Sequence, residues 1–191
     1  MAILSYNEIV QKTVIDYNGE PYKVLSSHVF RMQQRKPVNQ TKLQHLVSGK
    51  VVEISFHQNE SVPEAEIERM ETTYLYTNRG ESWFAEKGNP KNRFSFPEDA
   101  VHEKVQWLIP NFEVEVLVYK EKPITLEIPV KVELKVTEAP PAVKGDTATG
   151  GNKLVTLESG ATVTTPLFIN EGDLVKVNTE TGEYVERMEK A

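Results

Sequence analysis

Four histidines, His28, His45, His57 and His102, are the side chains best suited to bind a metal or carry a proton, and they stand 17, 12 and 45 positions apart. That spacing holds no His-x-x-x-His or Glu-linked pair that would set two imidazoles on one helix face, so no metal site is expected. Cysteine is absent. Disulfides, thiolate zinc ligands and cysteine nucleophiles are therefore excluded together, and the composition is compatible with a reducing cytoplasm. There is no G-x-S-x-G elbow, and Ser159-Gly160 reads as a turn between strands. Carboxylates are plentiful, but none has the long apolar surroundings that raise a pKa. The segment Gly145–Lys153, GDTATGGNK, has glycines like those of a phosphate loop but lacks the Gly-Lys-Ser/Thr ending that supplies the phosphate lysine and magnesium hydroxyl. No catalytic residue, metal or cofactor is expected. Asn39-Gln40-Thr41 and Asn59-Glu60-Ser61 match glycosylation sequons and carry no weight, because no export signal is visible at the N-terminus.

Two polar segments have a different chemistry. The first is Arg31, Met32, Gln33, Gln34, Arg35, Lys36 and Pro37, a cationic stretch whose long side chains would project from the rim of a small barrel. It lies inside a 32-residue window, Pro21 to Val52, that contains no Asp or Glu and carries a charge of +6, whereas the whole chain has a net charge of −6 and the remainder therefore −12. Such segregation on an acidic protein fits local contact with a polyanion, since association is steered by the local field. A solvated hairpin loop fits the same residues. The second segment is Lys144, Gly145, Asp146, Thr147 and Ala148, with Thr149–Asn152 following: small hydrogen-bonding residues that can bring backbone close to RNA, or form a flexible connection between strands.

The elements that would position these loops have a period of two. Thr13–Tyr17 and Tyr22–Leu25 flank Asn18-Gly19, the dipeptide favoured in type I′ hairpin turns because both central residues need positive φ. Thr41–Val47 and Val51–Phe56 follow across Ser48–Lys50, then Glu71–Tyr76 and Glu81–Ala85 across Thr77–Gly80, then Phe112–Tyr119 and Ile124–Ile128 across Lys120–Pro123. Val130–Thr137, Lys153–Leu157, Ala161–Thr164 and a hairpin of Leu174–Asn178 with Tyr184–Glu186 complete the strands. Pro97–Leu108 alone reads as helical, with Glu98 and Asp99 at its positive end and Val101, Val105 and Leu108 spaced by four and three. Ser5 and Glu8 form a capping-box pattern for a short helical turn.

Hydrophobic residues make up 39% of the 191 residues and mean hydropathy is −0.44, which favours several small barrels over one thick core. The longest apolar runs, Met1–Leu4 and Val116–Tyr119, are far short of the ~20 residues a membrane helix needs. Turn-rich stretches at Gln58–Glu64 and Pro129 divide the chain into three units of about 60 residues, 1–64, 65–128 and 129–191. The expected fold class is all-β: three small antiparallel barrels in series.

The sequence resembles bacterial elongation factor P along essentially its whole length. The resemblance is carried by Tyr17-Asn18-Gly19-Glu20-Pro21-Tyr22, by Lys42-Leu43 with Leu46–Gly49, by Tyr74-Leu75-Tyr76, by Val143–Ala148 and by Lys153–Gly172. The last stretch is similar to the family signature K-x-A-x(4)-G-x(2)-[LIV]-x-V-P: Lys153, Gly160, Val163 and Pro166 fit, while Val155 stands for the usual Ala and Thr165 for the usual Val. The resemblance implies an SH3-like first barrel, two OB-like barrels and an L-shaped whole. It also implies a cytoplasmic monomer that binds the ribosome between the P and E sites beside peptidyl-tRNA, contacting the rRNA of both subunits. The first-barrel tip would hold the CCA end of peptidyl-tRNA, and the Gly145-Asp146-Thr147 loop would meet mRNA near the E-site codon. Such a factor relieves stalling at consecutive prolines by reducing the orientational freedom of bound reactants, and is not an enzyme. The family's modifiable Lys or Arg falls on Gln34, which accepts neither lysylation nor rhamnosylation, with Met32, Gln33 and Arg35 around it.

The main expectation is thus an unmodified factor whose tip works through Arg31, Arg35 and Lys36, with Gln33 and Gln34 bonding across the apex. The alternative is a general OB-fold RNA binder or ribosome-assembly factor without polyproline rescue, and a phosphate-loop enzyme stands third. Stacking-type OB binders interleave exposed aromatics with basic residues, whereas the cationic window holds only Tyr22 and Phe30, favouring docking on structured RNA. No membrane partner is expected.

Overall fold

The computed structural model describes residues 2–31, 36–141 and 151–191. The strands are β1 (Ile3–Ser5), β2 (Val14–Tyr17), β3 (Glu20–Phe30), β4 (Val38–His45), β5 (Val51–His57), β6 (Ser61–Pro63), β7 (Ile67–Asn78), β8 (Glu81–Glu86) and β9 (Asn89–Pro97). After helix α1 (Glu98–Val105) come β10 (Glu113–Tyr119), β11 (Lys122–Glu127), β12 (Lys131–Glu138), β13 (Asn152–Leu157), β14 (Thr162–Pro166), β15 (Leu174–Asn178) and β16 (Tyr184–Glu189). They form a four-stranded sheet in the order β2-β3-β4-β5, a β1-β6 pair, and two five-stranded sheets, β11-β10-β7-β8-β9 and β14-β13-β12-β15-β16. The protein is mostly β, with several antiparallel sheets, as its periodicity predicts.

The hairpins form where their turn residues allow left-handed backbone. Asn18 and Gly19 take φ of +56° and +87°, as a type I′ turn requires. At the β10–β11 turn the same geometry falls on Lys120 and Glu121, at +49° and +64°, residues that adopt it less readily. Three expectations need correction. Asn89–Pro97, where the periodicity predicts no strand, is strand β9: Phe94 and Phe96 pair with Phe84 and Ser82, and the polar residues before them mask the alternation. The polar stretch Gln58–Glu64 contains β6, whose Val62 is buried opposite Leu4. The helix ends at Val105, whereas the Ser5–Glu8 capping contact does form, across a turn, with the Ser5 backbone N–H donating to the Glu8 carboxylate at 2.9 Å. Pro97, which cannot donate a backbone hydrogen bond, precedes the helix at its N-cap, and Val101 and Val105 are its buried face.

The chain divides into two compact units, Met1–Met70 with Val116–Thr125 and Glu71–Glu115 with Leu126–Ala191. The first encloses Ile9, Ile15, Val24, Leu43, Phe56 and Val62, with the Tyr17 ring set edge-on to Phe56 and Tyr22. In the same unit Asp16 accepts a hydrogen bond from Tyr119 Oη at 2.6 Å and one from Lys120 Nζ at 3.1 Å. The second unit contains the C-terminal sheet, whose core residues Leu134, Ile169, Val175 and Val177 are completely buried. Trp107, from the turn after α1, completes that core, and Gly182 lies against its ring at a φ of +70°. Among the described residues, no helix is long and apolar enough to cross a membrane.

Candidate nucleic-acid interface

The hairpin of β3 and β4 is the longest pairing in the first unit, and its ladder closes at Phe30 opposite Val38. Between these strands lie Arg31 to Pro37, of which Arg31, Lys36 and Pro37 are described and belong to no strand or helix. Strand β4 starts three residues earlier than Thr41, the start its sequence suggests, because Asn39 is buried and continues the inward alternation Asn39, Thr41, Leu43. Arg31 and Lys36 are exposed at the two ends of the loop and Pro37 is half-buried. Met32, Gln33, Gln34 and Arg35 lie outside the described residues.

The hairpin is braced from its buried face. Asn39 Nδ2 donates to the carbonyls of Tyr6 at 2.6 Å and Ile9 at 2.9 Å, fixing the N-terminal segment against β4. Thr41 Oγ1 donates to Ile54 O on the neighbouring strand at 2.8 Å. Asn39 and Thr41 form the apparent sequon, which here is a pair of buried polar anchors. Sequence reasoning missed them, although their alternation with Leu43 was the available signal.

The charge pattern is retained in space. Of the Lys and Arg side chains in the acid-free window that are described, Lys42 meets a carboxylate, that of Glu53 on β5, at 3.7 Å, and both are exposed. Arg31 and Lys36, at the loop, have no such acidic neighbour among the described residues. An exposed cationic end on an acid-depleted hairpin can take phosphate groups without first displacing carboxylates.

The second loop, Lys144, Gly145, Asp146, Thr147 and Ala148, lies outside the described residues. Its base is held by Lys153, whose ammonium donates to Pro140 O at 3.1 Å. The other signature positions are structural: Gly160 has a φ of +88° in the β13–β14 turn, and Val163 is buried. Val155 and Thr165, the two departures from the signature, are buried in the same sheet, where Thr165 Oγ1 bonds Lys153 O at 3.4 Å. Among the described residues no cluster of His, Cys, Asp or Glu could hold a metal ion.

Residues 5–62 match the family model described as Elongation factor P (EF-P) KOW-like domain, and residues 132–187 match that described as Elongation factor P, C-terminal. The chain is 37% identical over 188 residues to elongation factor P of Thermodesulfovibrio yellowstonii, covering 98% of this chain and 100% of that one. It is also 37% identical over 188 residues to elongation factor P of Aquifex aeolicus, covering 98% and 97%. The chain belongs to the elongation factor P family. That family is one of non-enzymatic translation factors, and membership implies interaction with the ribosome. Among solved structures, the fold is similar to eukaryotic translation initiation factor 5A from Methanococcus jannaschii, with a TM-score of 0.52 at 13% identity over 62% of this chain and 86% of that one. A translation initiation factor eif-5a family protein from Naegleria fowleri gives 0.51 at 10% identity, over 66% and 96%. At these identities the likeness concerns the fold alone.

Proposed function

We propose that this member of the elongation factor P family relieves ribosomes stalled at consecutive prolines, with the Arg31–Pro37 tip placed against the CCA end of peptidyl-tRNA between the P and E sites. The observation that carries this reading is the hairpin itself: an eleven-residue β3 and an eight-residue β4, paired as far as Phe30 and Val38, lead into an acid-free, cationic seven-residue segment of the sequence. A rigid arm of this kind can restrict a flexible tRNA end, and restricting orientation lowers a barrier without any nucleophile. Arg31, Arg35 and Lys36 supply the contacts. Arg35 is the principal one, because a guanidinium forks onto phosphate and stacks on bases where an ammonium acts as a point charge. Gln33 and Gln34 bond across the apex, and the tip works without covalent extension. In the same reading Lys144, Gly145, Asp146, Thr147 and Ala148 approach mRNA near the E-site codon. The protein acts in the cytoplasm as a monomer of three domains, 1–64, 65–128 and 129–191.

The test is a reconstituted translation system free of modifying enzymes, reading out a polyproline reporter. Unmodified protein is expected to restore synthesis through the proline run, and the double variant Arg35→Ala, Lys36→Ala to lose most of that rescue. No rescue by the unmodified protein, or full rescue by the double variant, would overturn the unmodified cationic tip.

A further inference from the structure

The outward face of the same hairpin carries an array that neither the tip nor the family match explains. Opposite residues of three antiparallel strands share a face, so the registers place Phe30, Val38 and His57 in one row and His28, Gln40 and Ser55 in the next. His28, Gln40, Ser55 and His57 are exposed, and Phe30 and Val38 are half-buried. The His28 and Phe30 rings lie 19° from parallel with centroids 6.2 Å apart. Three strands by two rows span about 10 Å by 7 Å, the scale of one nucleobase.

Neither row contains a carboxylate. The third row, Ser26, Lys42 and Glu53, has one, already opposed by Lys42 at 3.7 Å. Beyond the His57 end, Glu60 has its carboxylate on the His57 backbone N–H at 2.6 Å. At the loop end stand the exposed Arg31 and Lys36. Two near-parallel rings offer a stacking surface, Gln40, Ser55 and His57 offer donors and acceptors for a base edge, and the two cations lie where a phosphate chain would leave the sheet. We propose that this face is a stacking platform for an unpaired nucleobase of RNA, with Phe30 and His28 beneath the base and Arg31 and Lys36 on the adjoining phosphates. The proposal rests on the reading that the hairpin faces RNA. It adds a second contact, on the sheet and not on the tip. The composition of the cationic window pointed away from stacking because Tyr22 and Phe30 are its only aromatic residues besides histidine. The structure pairs Phe30 with an imidazole two residues away.

Fluorescence anisotropy with a short labelled single-stranded RNA and a blunt RNA duplex of the same length tests this. The single strand is expected to bind more tightly. Phe30→Ala should weaken its binding about tenfold, in line with the loss of one stacked base. His28→Ala, at an exposed position, should weaken it about threefold or more, and Phe30→Trp should retain it. Arg31→Ala with Lys36→Ala should reduce the slope of log affinity against log salt by about 1.4, two single-strand phosphate contacts. Absence of binding to the single strand, or binding within twofold of the original for both Phe30→Ala and His28→Ala, would overturn the platform. The polyproline assay run in parallel separates the two readings. Rescue by a protein whose RNA binding ignores both rings removes the platform and keeps the tip. Ring-dependent RNA binding without rescue keeps the platform and removes the tip.

Discussion

The N-terminal four-stranded sheet and the C-terminal five-stranded sheet meet the same difficulty, a core too small to hold itself together, by different means. Among the described residues, six buried apolar side chains fill the first and eleven the second, and one of the eleven, Trp107, comes from the turn after α1 and not from the sheet's own strands. The smaller core compensates with polar anchors: Asn39 joins β4 to the N-terminal segment and Thr41 joins β4 to β5. A small domain buries a limited fraction of its surface, so each such contribution is a large part of its stability. The comparison also separates function from scaffolding. Among the described residues the hairpin that carries the candidate interface is anchored through the buried Asn39 and Thr41, while His28, Gln40, Ser55 and His57 are exposed on its other face.

The largest expected effect of breaking this pattern falls on the C-terminal sheet. Trp107 is 4% exposed and surrounded by core residues, so Trp107→Ala opens a cavity and should cost about 3–5 kcal/mol. Its indole N–H has no hydrogen-bond partner among the described residues, so Trp107→Phe forfeits no bond and should cost much less. Urea unfolding followed by amide exchange should show the loss in β12–β16 and leave β2–β5 protected. Equal loss of protection in both sheets would count against two separately maintained cores.

The counterpart in the N-terminal sheet is smaller. Asn39→Ala leaves the carbonyls of Tyr6 and Ile9 without their donor inside the protein, at about 1–3 kcal/mol. Exchange should accelerate in the segment around Tyr6–Ile9 and in β4, with β12–β16 unchanged. Wild-type protection in that segment would show that the apolar core alone positions it.

These contrasts mark how far the sequence could be read. Asn18-Gly19, Gly80 and Gly182 were legible as turns because left-handed backbone leaves few choices of residue, and the strands beside them followed. The acid-free cationic window was legible from charge, which needs no register. Strand β9 was hidden because its first five residues, four polar ones and Pro90, are all exposed, so only Phe94 and Phe96 carry its signal. Trp107 and Asn39 were not legible as anchors because each is defined by a partner far along the chain: Gly182 for one, Tyr6 and Ile9 for the other. The pairing of Phe30 with His28 likewise depends on which residues a hairpin turns outward, and the bulge between Val24 and Ser26 resets that count.

The smallest expected effect sharpens the comparison through its pH dependence. Both halves contain an acid held in its charged form, by different donors. Burial alone pushes the Asp173 carboxyl upward, but the N–H groups of Ala191 and Asn170 and the Arg187 guanidinium together hold it below the usual range. For Asp16, whose side chain is 12% exposed, the Tyr119 hydroxyl is the main cause of its lowered pKa, outweighing burial, and Lys120 adds to it. Tyr119→Phe keeps the ring, which is buried, and removes only the donor, so it should cost about 1 kcal/mol near neutral pH. A carboxyl with a depressed folded-state pKa contributes stability that is complete above its unfolded pKa of about 3.9 and is lost as pH falls through the folded value. The difference between wild type and Tyr119→Phe should therefore be constant at neutral pH and shrink below pH 4, because the variant has already given up part of what acid removes. The Asp173 contribution should titrate unchanged in the same variant, since no donor to it has been touched. Urea midpoints measured down to about pH 3 provide the check: a gap that persists undiminished in acid would mean that the hydroxyl stabilises the fold by packing and not by holding the Asp16 charge.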